Sequence, residues 1–87
     1  MDKLQNFRNR IDKIDAKIVT LLRKREKIIR KVGLLKVKTK KPIQHKEREQ
    51  TILSRLDTDM EREVFKTILR ESKKIQREVG PNSHYLV

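Results

Sequence analysis

Six polar residues fall on helical faces whose other positions are apolar, and these six are the residues that could do chemistry. From Leu4 the apolar positions step by three and four through Phe7, Ile11, Ile14, Ile18 and Leu21, and resume at Ile28, Val32 and Leu35. Arg25 takes the one place in this heptad seam where a hydrophobic residue belongs. A buried guanidinium without an anion is strongly destabilising, so a protein carboxylate or a small ligand should meet it there. Lys36 lies eleven residues on, only about 20° round the same helix at 100° per residue. Arg48 and Glu49 continue the Ile52, Leu53, Leu56 face one turn earlier. Ser72 and Gln76 fall within the Ile68, Leu69, Ile75, Val79 face.

Each residue also has an ordinary structural explanation. Arg25 could bridge a carboxylate of a neighbouring helix and so fix the register of a dimer. Ser72 could be a small packing residue whose hydroxyl bonds back to a helix carbonyl, and Gln76 a core or a surface amide. Arg48 and Glu49 open a helix, where snorkelling charges are routine, and Lys36 with Lys38, Lys40 and Lys41 resembles a solvated basic run. The convergence of all six favours a polar cavity inside a helical bundle, shaped for a small anion.

Other chemistries lack their residues. With no cysteine there is neither a disulfide framework nor a thiolate metal site. His45 and His84 are far apart without ligand-like neighbours and read as surface histidines, so no metal site is expected. Neither a nucleophile with its base nor a glycine-rich phosphate loop is present. The net charge of +12 points to an anionic partner: nucleic acid, an acidic membrane or a charged metabolite. A basic helical dimer clamping nucleic-acid phosphates would use that charge. Aromatic residues at 3% offer such a dimer almost nothing on which to stack bases, and Arg25, Lys36 and Gln76 face inward. Met1-Asp2-Lys3 leads directly into an amphipathic segment, with neither an apolar signal region nor a membrane-length stretch, so a soluble cytoplasmic protein is expected. The Lys/Glu/Arg/Ile-heavy balance is compatible with a thermophilic source.

The elements that must position these residues are three helices and no strand. The first is expected from about Asp2 to Lys38, roughly 55 Å long. A compact globule of this chain length would be only about 31 Å across. The seam, widened by Leu22 and Ile29, therefore overhangs a monomer, and a dimer built on this helix follows. Pro42 stops the pattern. A short second helix is expected over about Lys46 to Leu56, with Ile52, Leu53 and Leu56 inward. Thr58 and Glu61 read as a capping box for a third helix running to about Val79, with Val64, Phe65, Ile68, Leu69, Ile75 and Val79 on one face. Gly80-Pro81 ends it. Residues 1–80 thus form one helical domain, and 81–87 a tail whose Tyr85-Leu86-Val87 could dock on a groove.

These words, in this order, resemble the all-helical class of chorismate mutases. They are Leu4-x-x-x-Arg8-x-x-Ile11-Asp12-x-Ile14-Asp15, Leu21-Leu22-x-x-Arg25, Val32-Gly33-x-x-Lys36, Pro42-Ile43, Arg48-Glu49-Gln50 and Phe65-x-x-Ile68-x-x-x-Ser72-x-x-x-Gln76. The resemblance covers about Leu4 to Gln76. It implies an all-α, intertwined homodimer of three-helix chains, with two equivalent sites that each draw residues from both subunits. Arg8 lies about 25 Å from Arg25 along one helix and cannot reach the same small ligand in cis. The resemblance implies that Arg8 of an antiparallel second chain does so.

The implied reaction is the pericyclic rearrangement of chorismate to prephenate on the route to phenylalanine and tyrosine, without a cofactor. Arg8 in trans, Arg25 and Arg48 are implied to hold the two carboxylates. Lys36 and Gln76 would donate to the ether oxygen, Glu49 would accept from the ring hydroxyl, and Ser72 would support Arg48 and the pocket wall. The chain departs from the family pattern in three respects. His45 stands where members often carry an acid, the connection between the second and third helices is short, and the charge is high. An isochorismate pyruvate-lyase on the same scaffold is the enzyme alternative, and docking onto another shikimate-pathway enzyme is a further possible role.

Overall fold

The computed structural model describes residues 2–79, which form three helices in the order expected: α1 (Lys3–Thr39), α2 (Lys46–Ser54) and α3 (Asp59–Glu78). The expected stop at Gly80-Pro81, the tail, His84 and Tyr85-Leu86-Val87 lie outside the described residues.

Local chemistry sets each boundary. The Asp2 carboxylate accepts from the Gln5 backbone N–H at 2.7 Å and caps α1. At the other end Lys40 adopts φ 55°, in the left-handed region, and donates its N–H to the Val37 carbonyl. Lys41 N–H reaches the Lys36 carbonyl at 2.9 Å, completing a Schellman stop two residues before Pro42. The second helix ends at Ser54 rather than Leu56. Arg55 and Leu56 bond to Ile52 and Leu53, three residues back, so the last turn tightens out of α geometry. The Thr58 hydroxyl accepts from Glu61 N–H as a capping box requires, and the Glu61 carboxylate reaches back to Asp57 N–H at 3.0 Å. Hydrogen bonds to its carboxylate, from the Asp57 N–H first and the Thr58 hydroxyl next, hold the Glu61 carboxyl below its usual range.

α3 is the hub: α1 packs against one side of it and α2 against another. The two long helices come into close contact at Gly33 of α1, the one buried residue of that helix. There a Cβ would stand 2.5 Å from Val79 Cγ2 and 3.0 Å from the Gln76 Cα, so only glycine fits. Among the described residues the buried side chains are Leu69, Val79, Ser72 and Gln76, as many polar as apolar. Phe65, Ile68 and Ile75 are half-buried beside them, while Val64, expected inward, is exposed.

The molecule measures 55 × 32 × 13 Å, and its radius of gyration is 16.8 Å. A compact chain of this length would have one near 12 Å. The difference is the N-terminal half of α1, which projects beyond the other helices. Leu4, Phe7, Ile11, Ile14 and Leu21 of the seam are 53–62% exposed. No described helix is long and apolar enough to cross a membrane.

Candidate active site

Because α2 leans on α3 and not on α1, a gap remains between α1 and α2 with α3 as its floor. It is a cavity of about 310 Å³, at the small end of ligand sites. Arg25 and Lys36 reach it from α1, Arg48 and Glu49 from α2, Ser72 and Gln76 from α3. These are the six residues singled out in the sequence. Ile28, Ile29, Val32, Ile43, Ile52 and Leu69 supply its apolar wall. Arg8 does not line it. That residue is exposed on the projecting half of α1.

The polar groups are tied to one another across the helices. Arg25 Nη1 donates to Ser72 Oγ, and Ser72 Oγ donates in turn to the Ile68 carbonyl at 2.6 Å. Ser72 thus back-bonds to its own helix and orients a cation as well. Its partner is Arg25, where the resemblance implied Arg48. Lys36 Nζ donates to the Ile43 carbonyl at 2.6 Å, which pins it to the connection after α1 and leaves two of its three protons. Gln76 is only 6% exposed, and its Oε1 has no hydrogen-bond partner. A buried acceptor without a partner is costly, and this one belongs to a side chain on the cavity wall.

The electrostatics point the same way. Burial, with the nearby positive charge of Arg48 second, lowers the Arg25 pKa from its ordinary value. Burial also lowers that of Lys36, while Glu49 pulls it up. Both side chains remain cations at neutral pH, but cations short of anionic partners.

Lys73 escaped the reading of the sequence, whereas His45 enters it as a surface histidine at a position where family members often carry an acid. Lys73 Nζ bonds Glu49 Oε1 at 2.9 Å, a half-buried pair spanning α2 and α3. His45, read as a plain surface residue, is exposed yet lines the cavity, and its Nδ1 accepts the Arg48 backbone N–H at 3.0 Å to cap α2. Among the described residues no group of acidic, cysteine or histidine side chains could hold a metal.

A family model for chorismate mutase type II matches residues 7–77 of this sequence. The chain belongs to that family. Two curated relatives are bifunctional chorismate mutase/prephenate dehydratases. That of Aquifex aeolicus is 36% identical over 93% of this chain, and that of Buchnera aphidicola subsp. Schizaphis graminum 33% over 87%. The chain spans 19% and 22% of their respective lengths, so it corresponds to one part of each. Among solved structures, a conserved hypothetical protein from Pyrococcus furiosus superposes with a TM-score of 0.82. It is 39% identical, and the match covers 88% of this chain and 99% of that one. The cavity of this chorismate mutase type II domain falls wholly within the matched residues.

Proposed function

We propose that this domain rearranges chorismate to prephenate in the cavity between its three helices. The observation that carries the proposal is the convergence of Arg25, Lys36, Arg48, Glu49, Ser72 and Gln76, from three helices, on one small cavity in a chain of this family. The reaction breaks the ether C–O bond and forms a C–C bond within one molecule. No nucleophile or proton-transfer group is required of the protein. It must hold the folded conformer and stabilise negative charge as it develops on the ether oxygen.

Arg25, braced by Ser72, and Arg48 bind the substrate carboxylates. Lys36 donates to the ether oxygen with a proton left over from its bond to Ile43. The Gln76 amide nitrogen donates there too. Amide O and N are assigned from their surroundings, and a ligand oxygen on this wall selects the orientation with nitrogen inward. These donors strengthen as the oxygen becomes negative, so they favour the transition state over the ground state. Glu49 accepts from the ring hydroxyl.

A second copy completes the site. Exposed apolar residues from Leu4 to Leu21 form a face too long for a soluble monomer to leave bare. An antiparallel second α1 would cover it and carry its own Arg8 to the cavity. Association with a prephenate-consuming enzyme belongs to the same proposal, because the two relatives carry both activities on one polypeptide. The cytoplasm is the expected place of action.

The experiment is to supply the purified chain with chorismate and, separately, with isochorismate. Prephenate from the first supports the proposal. Salicylate and pyruvate from the second, without prephenate from the first, would make the protein a lyase on the same scaffold.

A further inference from the structure

Among the described residues Lys73 is a fourth cation on the cavity wall, beside Arg25, Lys36 and Arg48, and it faces the single carboxylate there, Glu49. The sequence offers no reason for it. Its neighbour Lys74 is exposed and paired with Glu71 on its own helix, as an ordinary surface lysine is. Lys73 instead reaches across to α2, and the pair it makes with Glu49 leaves the side chains only 24% and 20% exposed.

The acceptors in the cavity give the pair its meaning. His45 cannot serve as one. Its Nδ1 is committed to the Arg48 N–H, so the neutral ring carries its proton on Nε2 and is a donor on that side. Glu49 is therefore the carboxylate that can receive a hydroxyl from a bound molecule. Unpaired, a carboxylate beside a dianionic ligand would repel it and could turn away. With Oε1 held by Lys73, its charge is offset and its other oxygen keeps a fixed place.

We propose that Lys73 is a positioning residue that makes the cavity selective for a hydroxylated dianion, by holding Glu49 through one oxygen so that the other receives the hydroxyl. This deepens the mutase proposal and rests on it for the identity of the ligand.

The test measures binding by calorimetry, with two stable bicyclic ether dicarboxylates differing only in the ring hydroxyl. The wild-type dimer should prefer the hydroxylated compound. Lys73→Met should reduce that preference about tenfold, the value of one charge-assisted hydrogen bond. Lys73→Arg should restore most of it. In a Glu49→Gln background, Lys73→Met should change the preference less than twofold, because the lysine acts through the glutamate. A merely structural bridge between α2 and α3 would weaken both compounds alike and leave the ratio unchanged. An unchanged ratio, or an equal loss in the Glu49→Gln background, would overturn the inference. Turnover is read separately. A wild-type chain that shows the preference yet makes no prephenate would refute the mutase proposal and support this one.

Discussion

The Cα of Gln76 lies 3.0 Å from where a Cβ on Gly33 would stand, so the glycine of one helix fixes how closely the other brings its amide to the cavity. The neighbouring turn of α1 carries Lys36, the second proposed donor. Gly33 therefore sets the distance between the two groups proposed to meet one ether oxygen.

Replacing Gly33 by alanine tests this through the sign of its effect. At an ordinary helical position the change would stabilise by about 1 kcal/mol. Here it should destabilise by roughly 1–3 kcal/mol, the usual range for overpacking. Displacing Gln76 should also lower kcat by roughly tenfold to a hundredfold, as ångström-scale misplacement does. Adding Val79→Ala removes the 2.5 Å clash but not the one with the Gln76 backbone. It should recover the loss in part. A Gly33→Ala protein with raised stability and full kcat would contradict this account of the crossing.

Gln76 is a donor at every pH. Gln76→Glu should move the activity optimum to lower pH, since an ionised carboxylate repels the developing oxyanion and only its protonated form donates. His45 lines the cavity and caps α2, so the comparison belongs in a His45→Asn background, which keeps a capping side chain without an imidazole. An unchanged profile and an undiminished rate at neutral pH would remove Gln76 from the mechanism.

Much of this arrangement was legible in the sequence, and the parts that were not have a common cause. Arg25, Lys36, Arg48, Glu49, Ser72 and Gln76 were visible because each interrupts an apolar periodicity within its own helix. Lys73 interrupts nothing. It lies at the edge of the inward face, one turn after Leu69, where a lysine reads as a snorkelling side chain until α2 brings Glu49 against it. Gly33 reads as a weak point of a long helix until α3 is laid against it. His45 lies in a connection without periodicity, and its role depends on α2 starting at the next residue. A periodicity reports which face of a helix turns inward; it carries no information about what arrives from another helix.

Lys36 predicts an alkaline limit. Burial lowers its pKa, so its ammonium is lost at a lower pH than the ordinary lysine value of 10.5. The neutral amine stabilises an oxyanion poorly. kcat/KM, which follows ionisations of the free enzyme, should fall through a midpoint below 10.5 as pH rises. Lys36→Arg should react more slowly but without that limb, because a guanidinium keeps its proton. The same limb in the arginine variant would assign it to another group.

Arg8 should act in trans. Arg8→Ala and Arg25→Ala chains should each be nearly inactive alone. After random exchange into heterodimers, about a quarter of all sites combine both native residues, and activity should return to that level. Heterodimers that form without recovery would contradict the shared site.

The central claim is that the cations of this cavity drive the rearrangement of chorismate. Prephenate formation by the wild-type chain and by Arg25→Met, at equal and dimer-saturating concentrations, tests it most directly. The wild type should form prephenate well above the uncatalysed rate. The variant, which loses the guanidinium that Ser72 orients, should fall by at least about a hundredfold in kcat/KM. A wild-type chain that forms none, or an Arg25→Met chain that matches it, would contradict the account.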